Sequence, residues 1–439
     1  MSPIIPRALL WLSVYVLLAL VPLGVALVHQ PTEARGFWVE LGAMLGLLGL
    51  GVLAVQMLIT GRHRWFAPEL GLDNTLQFHR EVGIFALLLV LAHPTTLILA
   101  DPKYLAYLDP REDTLRAISL AMMVASAIIL VCSSLWRVTI GLPYEWWRVL
   151  HGGLALFIVT GGLGHALMAD HYTAGALTKV VLAGVVLIPL GYLVDTRLLR
   201  ALRMRRRPWR VAGTQAERGD STTITLEAVG HDGLHFEPGQ FIWVTLGETP
   251  FSLQQHPFSF ASSATEPRRI AFTAKHVGDF TATLPSVEPG TRAWVEGPYG
   301  AFIPNPGRVD KIILIAGGVG ITPIMSMLRT FDERRVRTPL WLLYANEHWE
   351  DVTFREELDE LAETLPLQVI HVISKPPKQW SGETGYIDGD LLERRLPEDS
   401  SSVEYFICGP DPLMDTVEKA LIRQGVSPTR LFSDRFDLF

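Results

Sequence analysis

The sequence predicts a multidomain protein: a six-helix transmembrane bundle, then an antiparallel β-barrel, then an α/β domain with a parallel sheet. Three observations carry this prediction. The first half contains six apolar segments, each long enough to cross a bilayer. Short alternating runs separated by turn residues begin near residue 208 and predict strands at 222–228, 241–246, 270–275 and 292–295. From residue 311, predicted strands at 311–316, 340–345, 368–374 and 403–408 alternate with predicted helices at 324–334, 354–363 and 411–423. We therefore expect domains at 1–200, 201–305 and 306–439.

We predict membrane spans at 8–28, 37–59, 78–100, 115–135, 146–168 and 176–196. The first is interpreted as a retained helix, because no small-residue cleavage site follows it. Lysine and arginine concentrate on the cytoplasmic side of membrane spans, and seven arginines lie between Arg197 and Arg210, directly after the sixth span. This predicts a multi-pass protein of the cell (inner) membrane, with both termini and the last two domains in the cytoplasm.

Composition excludes several classes of protein. Hydrophobic residues make up 49% of the 439 residues, which fits a chain with a membrane portion. A net charge of −7 argues against a nucleic-acid partner. The two cysteines, Cys132 and Cys408, lie in different halves of the chain, so no disulfide framework is expected. Nothing in the sequence indicates a regulatory subunit.

Four histidines in two of the apolar spans indicate a metal cofactor. His79 and His93 lie in the third span, His151 and His165 in the fifth, and fourteen residues separate the members of each pair. In a helix this spacing returns the side chains to nearly the same face, at levels about 21 Å apart. Two such helices side by side offer two cross-helix sites, and paired axial imidazoles hold a b-type haem. We predict two stacked b-type haems; hydrogen-bonded core histidines are the alternative.

A glycine-rich loop joins the first strand of the α/β domain to the helix that follows. Glycines let the backbone approach a ligand closely, and a helix N-terminus favours a pyrophosphate. This loop indicates a dinucleotide site, with a plain turn as the alternative. Its residues are Gly317, Gly318, Gly320, Ile321, Thr322 and Pro323.

Five motifs occur in the order seen in the ferredoxin-NADP reductase family: His256-Pro257-Phe258-Ser259, 275–281, 296–300, 317–323 and Cys408-Gly409-Pro410. Together with the histidine-bearing spans, the whole chain resembles the ferric reductase and NADPH oxidase superfamily, and most of all its compact bacterial members without regulatory extensions. The resemblance implies a flavohaem oxidoreductase whose barrel binds FAD and whose α/β domain binds NADH or NADPH.

The resemblance also implies roles for barrel residues in FAD binding. Phe258 would lie against the isoalloxazine ring, Ser259 would lie near its N5 atom, and Lys275 would offset charge on the reduced ring. In isolation, Phe258 fits a core aromatic and Lys275 a solvated strand end. His256 would lie near the FAD phosphates, and Gly278 and Thr281 would meet its pyrophosphate. Pro257 and Val277 are also assigned to cofactor binding.

In the nucleotide domain, the resemblance implies that Thr322 and Cys408 flank the nicotinamide, with Gly409 and Pro410 beside them. An aromatic ring, Phe439 with Phe436 as the second candidate, would cover the flavin face that the nicotinamide must reach. A hydrophobic plug against the sheet is the alternative for this ring.

Asn346 and Glu347 follow the strand at 340–345 and bear on nucleotide choice. An acidic group accepts hydrogen bonds from a free ribose 2′-OH and repels a 2′-phosphate. We therefore expect NADH in preference to NADPH, while the nearby cation Arg355 favours the opposite choice.

The terminal electron acceptor stays open between three alternatives. With both axial positions of the outer haem filled, dioxygen would be reduced to superoxide without binding iron, and this is the acceptor we expect first. A ferric chelate reduced at the haem edge, or a periplasmic protein that receives electrons, are the others. Asp170 and His171 in an outer loop are candidates for metal binding or proton delivery, with a solvated loop as the alternative.

Overall fold

A computed structural model of the chain describes residues 4–28, 35–59, 72–169 and 171–435. They form two compact units, one built chiefly from residues up to Arg200 and the other from Ala201 onward. The first unit is helical, and the second contains two β-sheets. The multidomain fold class that the sequence predicts is therefore confirmed.

Six helices in the described residues are long and apolar enough to cross a membrane, as predicted. They are α1 Ile4–Val28, α2 Phe37–Ile59, α3 Leu72–Ala100, α4 Thr114–Leu135, α5 Tyr144–Met168 and α6 Ala176–Val194. A π-helical turn, Asp195–Leu199, and the short helix α7, Arg200–Met204, continue α6. Helix α3 begins before the predicted start at residue 78, because hydropathy marks only the apolar part of a helix.

Helix α2 is the most buried of the six candidate spans. A Cβ built on Gly46 would lie 2.7 Å from Nδ1 of His93 in α3. On another side of α2, a Cβ built on Gly51 would lie 2.0 Å from the carbonyl oxygen of Ala19 in α1. Glycines permit such close approach between membrane helices. Helix α2 therefore supports α3 directly at one of its histidines.

The first sheet of the second unit has six antiparallel strands in the order β4-β3-β6-β1-β2-β5. The strands are β1 Trp209–Glu217, β2 Ser221–Ala228, β3 Phe241–Leu246, β4 His256–Ser259, β5 Arg269–Lys275 and β6 Arg292–Tyr299. An isolated bridge between the fully buried Phe260 and Phe272 closes the sheet into a barrel. A short helix, α8 Asp279–Thr283, follows β5.

Two of these strands, β1 and β4, are absent from the sequence prediction. Strand β1 is largely exposed toward its end and is interrupted by a bulge between Val211 and Gly213. Strand β4 has only four residues and contains a proline. Neither strand therefore shows the alternating apolar run by which strands are recognised.

The second sheet is entirely parallel, in the order β10-β9-β8-β7-β11-β12. Its strands are β7 Lys311–Gly317, β8 Leu340–Asn346, β9 Leu367–Ile373, β10 Glu383–Thr384, β11 Val403–Cys408 and β12 Leu431–Asp434. Helices α9 Ile321–Glu333 and α10 Arg355–Thr364 cover one face, and α11 Gly389–Arg395 and α12 Asp411–Arg423 cover the other. Strands β10 and β12 and helix α11, all short, are additions to the prediction.

The strand order reverses beside β7. From this central strand the chain passes to β8 on one side, and it later returns to β11 on the other. In open parallel sheets, ligands bind at the carboxyl ends of the strands where the order reverses. The loops that begin at Gly317 and Cys408 form this crevice.

Candidate functional site

The structure brings the four histidines together in two pairs. The ring centroids of His79 and His151 are 6.1 Å apart, and those of His93 and His165 are also 6.1 Å apart. Two imidazoles that share one metal, each about 2.0 Å from it through nitrogen, have centroids roughly 6 Å apart when they lie on opposite sides. Both pairs therefore fit the axial ligation of a haem iron. The assignment of the four residues as haem ligands stays a prediction.

Hydrogen bonds hold three of the four rings at Nδ1. A metal-bound histidine ordinarily donates its other ring N–H in this way, which leaves Nε2 for the metal. The acceptors are Gln56 Oε1 at 2.6 Å from His79, the Gly42 carbonyl at 2.7 Å from His93, and Ser134 Oγ at 3.1 Å from His151.

Sequence reasoning missed Gln56 and Ser134. The buried Gln56 stands in an otherwise apolar span, where an unpaired amide is costly, and that is the signal by which it could have been found. Ser134 gives no comparable signal, since a hydroxyl in a membrane helix can bond to its own helix, as Ser134 does with the Leu130 carbonyl at 2.6 Å.

Strand β4 carries two of the rings assigned to FAD. The half-buried Phe258 stacks on Phe272, with 4.5 Å between centroids, and His256 stacks on Phe280 at 3.9 Å. Pro257 lies between them, in register with Trp243 of β3. Phe258 is thus packed against the barrel core on one side and remains half-exposed, so its two interpretations are compatible.

Ser259 ends β4 and contacts the last strand of the other sheet. Its Oγ lies 3.5 Å from Oδ2 of Asp434, which is in register with Cys408 at the end of β11. Cys408 is fully buried, and this burial, with the negative charge of Asp434, raises the pKa of its thiol well above the usual value. The thiol is therefore protonated and unsuited to nucleophilic attack. Sequence reasoning missed Asp434, because β12 has only four residues and no motif.

The first turn of α9 is buried and contains Ile321, Thr322 and Pro323. The hydroxyl of Thr322 donates to the Val319 carbonyl at 2.8 Å and lies 3.5 Å from the carbonyl oxygen of Thr273 in β5. The nucleotide loop therefore meets the barrel strand that ends at Lys275. Thr322 of the α/β domain and Thr273 of the barrel therefore lie next to each other, where we expect hydride transfer.

Close backbone contacts join the loops after β7 and β11. A Cβ on Gly320 would lie 2.3 Å from the Cys408 carbonyl oxygen, and one on Gly409 would lie 2.9 Å from the Gly317 nitrogen. Pro410 borders the same contact, with its Cδ 2.9 Å from a Cβ built on Gly317. Packing between the loops therefore requires these glycines, and their role in binding a dinucleotide stays a prediction.

At the end of β5, Lys275 and Val277 are exposed. The backbone N–H groups of Val277 and Gly278 donate to Oγ1 of Thr281, at 3.1 and 3.0 Å. A pyrophosphate that bound these amides would have to displace the hydroxyl. The assignment of this turn to FAD therefore depends on a rearrangement of Thr281.

The predicted nucleotide-selecting residues lie at the end of β8. Glu347, which follows Asn346, is exposed and forms an ion pair with Lys375, and this contact lowers the pKa of its carboxyl group. Arg355 instead lies over the ring of Trp349, 4.6 Å from its centroid. Sequence reasoning missed Lys375, which places a cation beside the acidic group.

Three residues considered at the outset, Asp170, Phe436 and Phe439, lie outside the described residues. His171 is half-buried, with Nε2 3.6 Å from Oε1 of Glu40. The hydroxyl of Tyr172 donates to the other oxygen of that carboxylate. His171 therefore belongs to a polar cluster within the membrane unit rather than to a fully solvated loop.

Three family comparisons match successive parts of the chain. Residues 45–162 match the ferric reductase like transmembrane component, residues 210–302 match an FAD-binding domain, and residues 314–419 match an oxidoreductase NAD-binding domain. Their order along the chain is the one that the sequence resemblance implies.

Individual relatives cover the reductase part. NADH-cytochrome b5 reductase 1 of Coccidioides immitis (strain RS) is 32% identical over 163 residues, which are 36% of this chain and 53% of that protein. Its counterpart in Aspergillus clavatus is 32% identical over 160 residues, 35% of this chain and 52% of that protein. The chain thus spans about half the length of the curated relatives it matches.

Two solved structures are among those to which the chain is similar. The flavohemoglobin from Malassezia yamatoensis has a TM-score of 0.48 and 17% identity, over 82% of this chain and 97% of that one. The FAD/NAD-binding domain of nitric oxide dioxygenase from Vibrio cholerae O1 biovar El Tor has a TM-score of 0.47 and 21% identity, over 52% and 98%.

Proposed function

We propose that this chain, which has the domain architecture of the ferric reductase and NADPH oxidase superfamily, transfers electrons from cytoplasmic NAD(P)H to an acceptor on the outer face of the membrane. FAD, when bound, converts a hydride into single electrons, which two b-type haems conduct through the bilayer. The observation that carries the proposal is the equal 6.1 Å separation of two histidine pairs on the same two helices.

The histidine levels fit a membrane crossing. Fourteen residues separate His79 from His93 and His151 from His165, which corresponds to about 21 Å along each helix. One pair therefore lies toward each surface of a hydrocarbon core about 30 Å thick. The arginines after α6 favour a cytoplasmic location for the reductase domains and for the His79/His151 pair.

The residues around β4, β11 and α9 arrange the hydride step. Ser259 presents a buried hydroxyl near Asp434, and Thr322 fixes the nucleotide loop against β5. The raised pKa of Cys408 keeps its thiol protonated, so that it lines the proposed nicotinamide site as a small uncharged group. None of the three is arranged as a nucleophile, so these residues bind and orient while the chemistry belongs to the cofactors.

Dioxygen is the acceptor that we propose. One NAD(P)H and two dioxygen molecules give the oxidised nucleotide, one proton and two superoxide ions. If His93 and His165 both held the outer haem, dioxygen would accept electrons one at a time without binding to the iron. A ferric chelate is the second candidate, favoured by the match of residues 45–162 to the ferric reductase component. A periplasmic protein partner is the third.

Haem content tests the proposal. The purified chain should contain two haems by the pyridine haemochrome assay, and His93→Ala should contain about one that NAD(P)H still reduces. His79→Ala should also lose one haem, but NAD(P)H should no longer reduce the remaining one. His235→Ala, which alters an exposed barrel histidine, is the matched control and should retain both. Two haems per chain after His93→Ala would contradict the assignment.

Parallel assays distinguish the acceptors. If superoxide dismutase abolishes the reduction of cytochrome c, the terminal acceptor is dioxygen. Ferrous ion formed from a ferric chelate without oxygen, at a comparable or higher rate, indicates the ferric reductase. If neither acceptor turns over although NAD(P)H reduces both haems, the proposal for dioxygen is wrong and a protein partner takes its place.

A further inference from the structure

One face of α2 supplies a hydrogen-bond acceptor to each histidine of α3. Oε1 of Gln56 lies 2.6 Å from Nδ1 of His79, and the Gly42 carbonyl lies 2.7 Å from Nδ1 of His93. Fourteen residues separate Gly42 from Gln56, the same number that separates the two histidines. The donors and acceptors of the two helices therefore match at both levels.

The orientation of the Gln56 amide follows from its two contacts. Its Nε2 faces the backbone carbonyl of His79 at 3.4 Å, and a carbonyl can only accept a hydrogen bond. Nε2 is therefore the end that donates to this carbonyl, and Oε1 is the end that accepts from Nδ1. This arrangement places the proton of the His79 ring on Nδ1 and leaves Nε2 unprotonated, as a metal ligand must be.

The partner across this site is held in a similar way. Oγ of Ser134 lies 3.1 Å from Nδ1 of His151, and it donates its own proton to the Leu130 carbonyl at 2.6 Å. The hydroxyl therefore accepts from His151. We call His79 and His151 the inner pair, and His93 and His165 the outer pair. In the outer pair only His93 has such an acceptor, since no described residue forms a hydrogen bond with Nδ1 of His165. Two side-chain acceptors thus serve the inner pair and one backbone acceptor serves the outer.

An acceptor at Nδ1–H makes an imidazole a more basic metal ligand. Hydrogen bonding around the ligands is one of the means by which a protein sets a haem potential, and more basic ligands favour the oxidised iron. We infer that Gln56 and Ser134 are positioning residues that hold the inner haem at a lower potential than the outer, so that outward electron transfer is downhill. This inference rests on the proposed function.

Redox titration of single-haem protein tests the inference. In the His93→Ala background only the inner haem should remain, so its midpoint potential is measured directly. Adding Gln56→Met or Ser134→Ala should raise that potential, whereas Gln56→Glu, with a stronger acceptor, should lower it. Thr160→Val is the matched control and should leave it unchanged, because that hydroxyl bonds to the Leu156 carbonyl of its own helix at 2.7 Å.

In the full two-haem protein, Gln56→Met should narrow the gap between the midpoint potentials of the inner and outer haems. The equilibrium constant for electron transfer from the inner to the outer haem should therefore fall at least threefold. Ser134→Ala supplies the same information if Gln56→Met does not retain haem. Full haem content with unchanged inner potentials in both variants would overturn the inference while leaving the proposed function intact. A parent chain without haem would instead overturn the proposed function.

Discussion

Gly320 lies against the backbone of Cys408: a Cβ built on the glycine would be 2.3 Å from the carbonyl oxygen of the cysteine. This contact joins the loops that follow β7 and β11, the two strands between which the strand order reverses. A second contact, from Gly409 to the nitrogen of Gly317, closes the same crevice. The predicted nicotinamide site therefore depends on positions that have no room for a methyl group.

Gly320→Ala should push the two loops apart. Overpacking of this kind costs about 1–3 kcal/mol, and we expect the KM for NADH to rise roughly tenfold, equivalent to ~1.4 kcal/mol of binding. Steady-state kinetics with ferricyanide as the acceptor measure this, and FAD content should stay at the parent level. Gly307→Ala is the control, because its nearest neighbour, Asn305 Oδ1, is 3.8 Å away. Parent-like KM in the Gly320 variant would show that the contact does not shape the site.

The second prediction concerns the reactivity of Cys408 and follows from its burial. The thiolate is the form that reacts with iodoacetamide. Because the pKa of this thiol is raised in the folded protein, less thiolate is present at any given pH than in the unfolded chain. In a Cys132→Ala background, alkylation at pH 8.5 should be at least tenfold slower in the folded protein than in urea. Matching pH–rate profiles for folded and unfolded protein would contradict the raised pKa.

The sequence was sufficient to predict features that repeat within one element. The spacing of His79 and His93 is a property of a single helix, and the continuous apolar run of β7 is a property of a single strand. Elements without such repetition were missed. Strand β12, four residues long, takes its place in the sheet from its pairing with β11, so no local pattern marks it.

The partners of the site residues were not predictable for a related reason. Gln56 meets His79 across 23 positions, and Lys375 meets Glu347 across 28. These contacts depend on how helices pack and on which strand ends share an edge. The sequence predicted β8 and β9 but not that the residues following them would pair.

Nucleotide choice gives a third prediction. Glu347→Arg removes a repulsive carboxylate and adds a cation beside Lys375, so a 2′-phosphate would meet two positive groups. The ratio of kcat/KM for NADPH over NADH should rise at least tenfold, or ~1.4 kcal/mol. Glu347→Gln should produce a smaller rise, because it removes the carboxylate and releases Lys375 from its ion pair but adds no cation. Glu393→Arg, the same charge change on an exposed residue of α11, should leave the ratio unchanged. A ratio unaffected by Glu347→Arg would show that this position does not face the ribose.

The last prediction concerns Phe439, which lies outside the described residues. Strand β12 ends at Asp434, whose carboxylate lies 3.5 Å from the hydroxyl of Ser259. Five further residues reach at most about 17 Å, so both Phe439 and Phe436 are within range of a flavin at Ser259. A stacked ring contributes roughly 1 kcal/mol of aromatic contact, and nicotinamide must displace it. Phe439→Ser should therefore lower the apparent KM for NAD(P)H, reduce discrimination between the two nucleotides and weaken FAD retention. The same changes in Phe436→Ser alone would assign the role to that ring. Parent-like kinetics and FAD affinity in both variants would mean that the aromatic segment packs as a plug against the sheet.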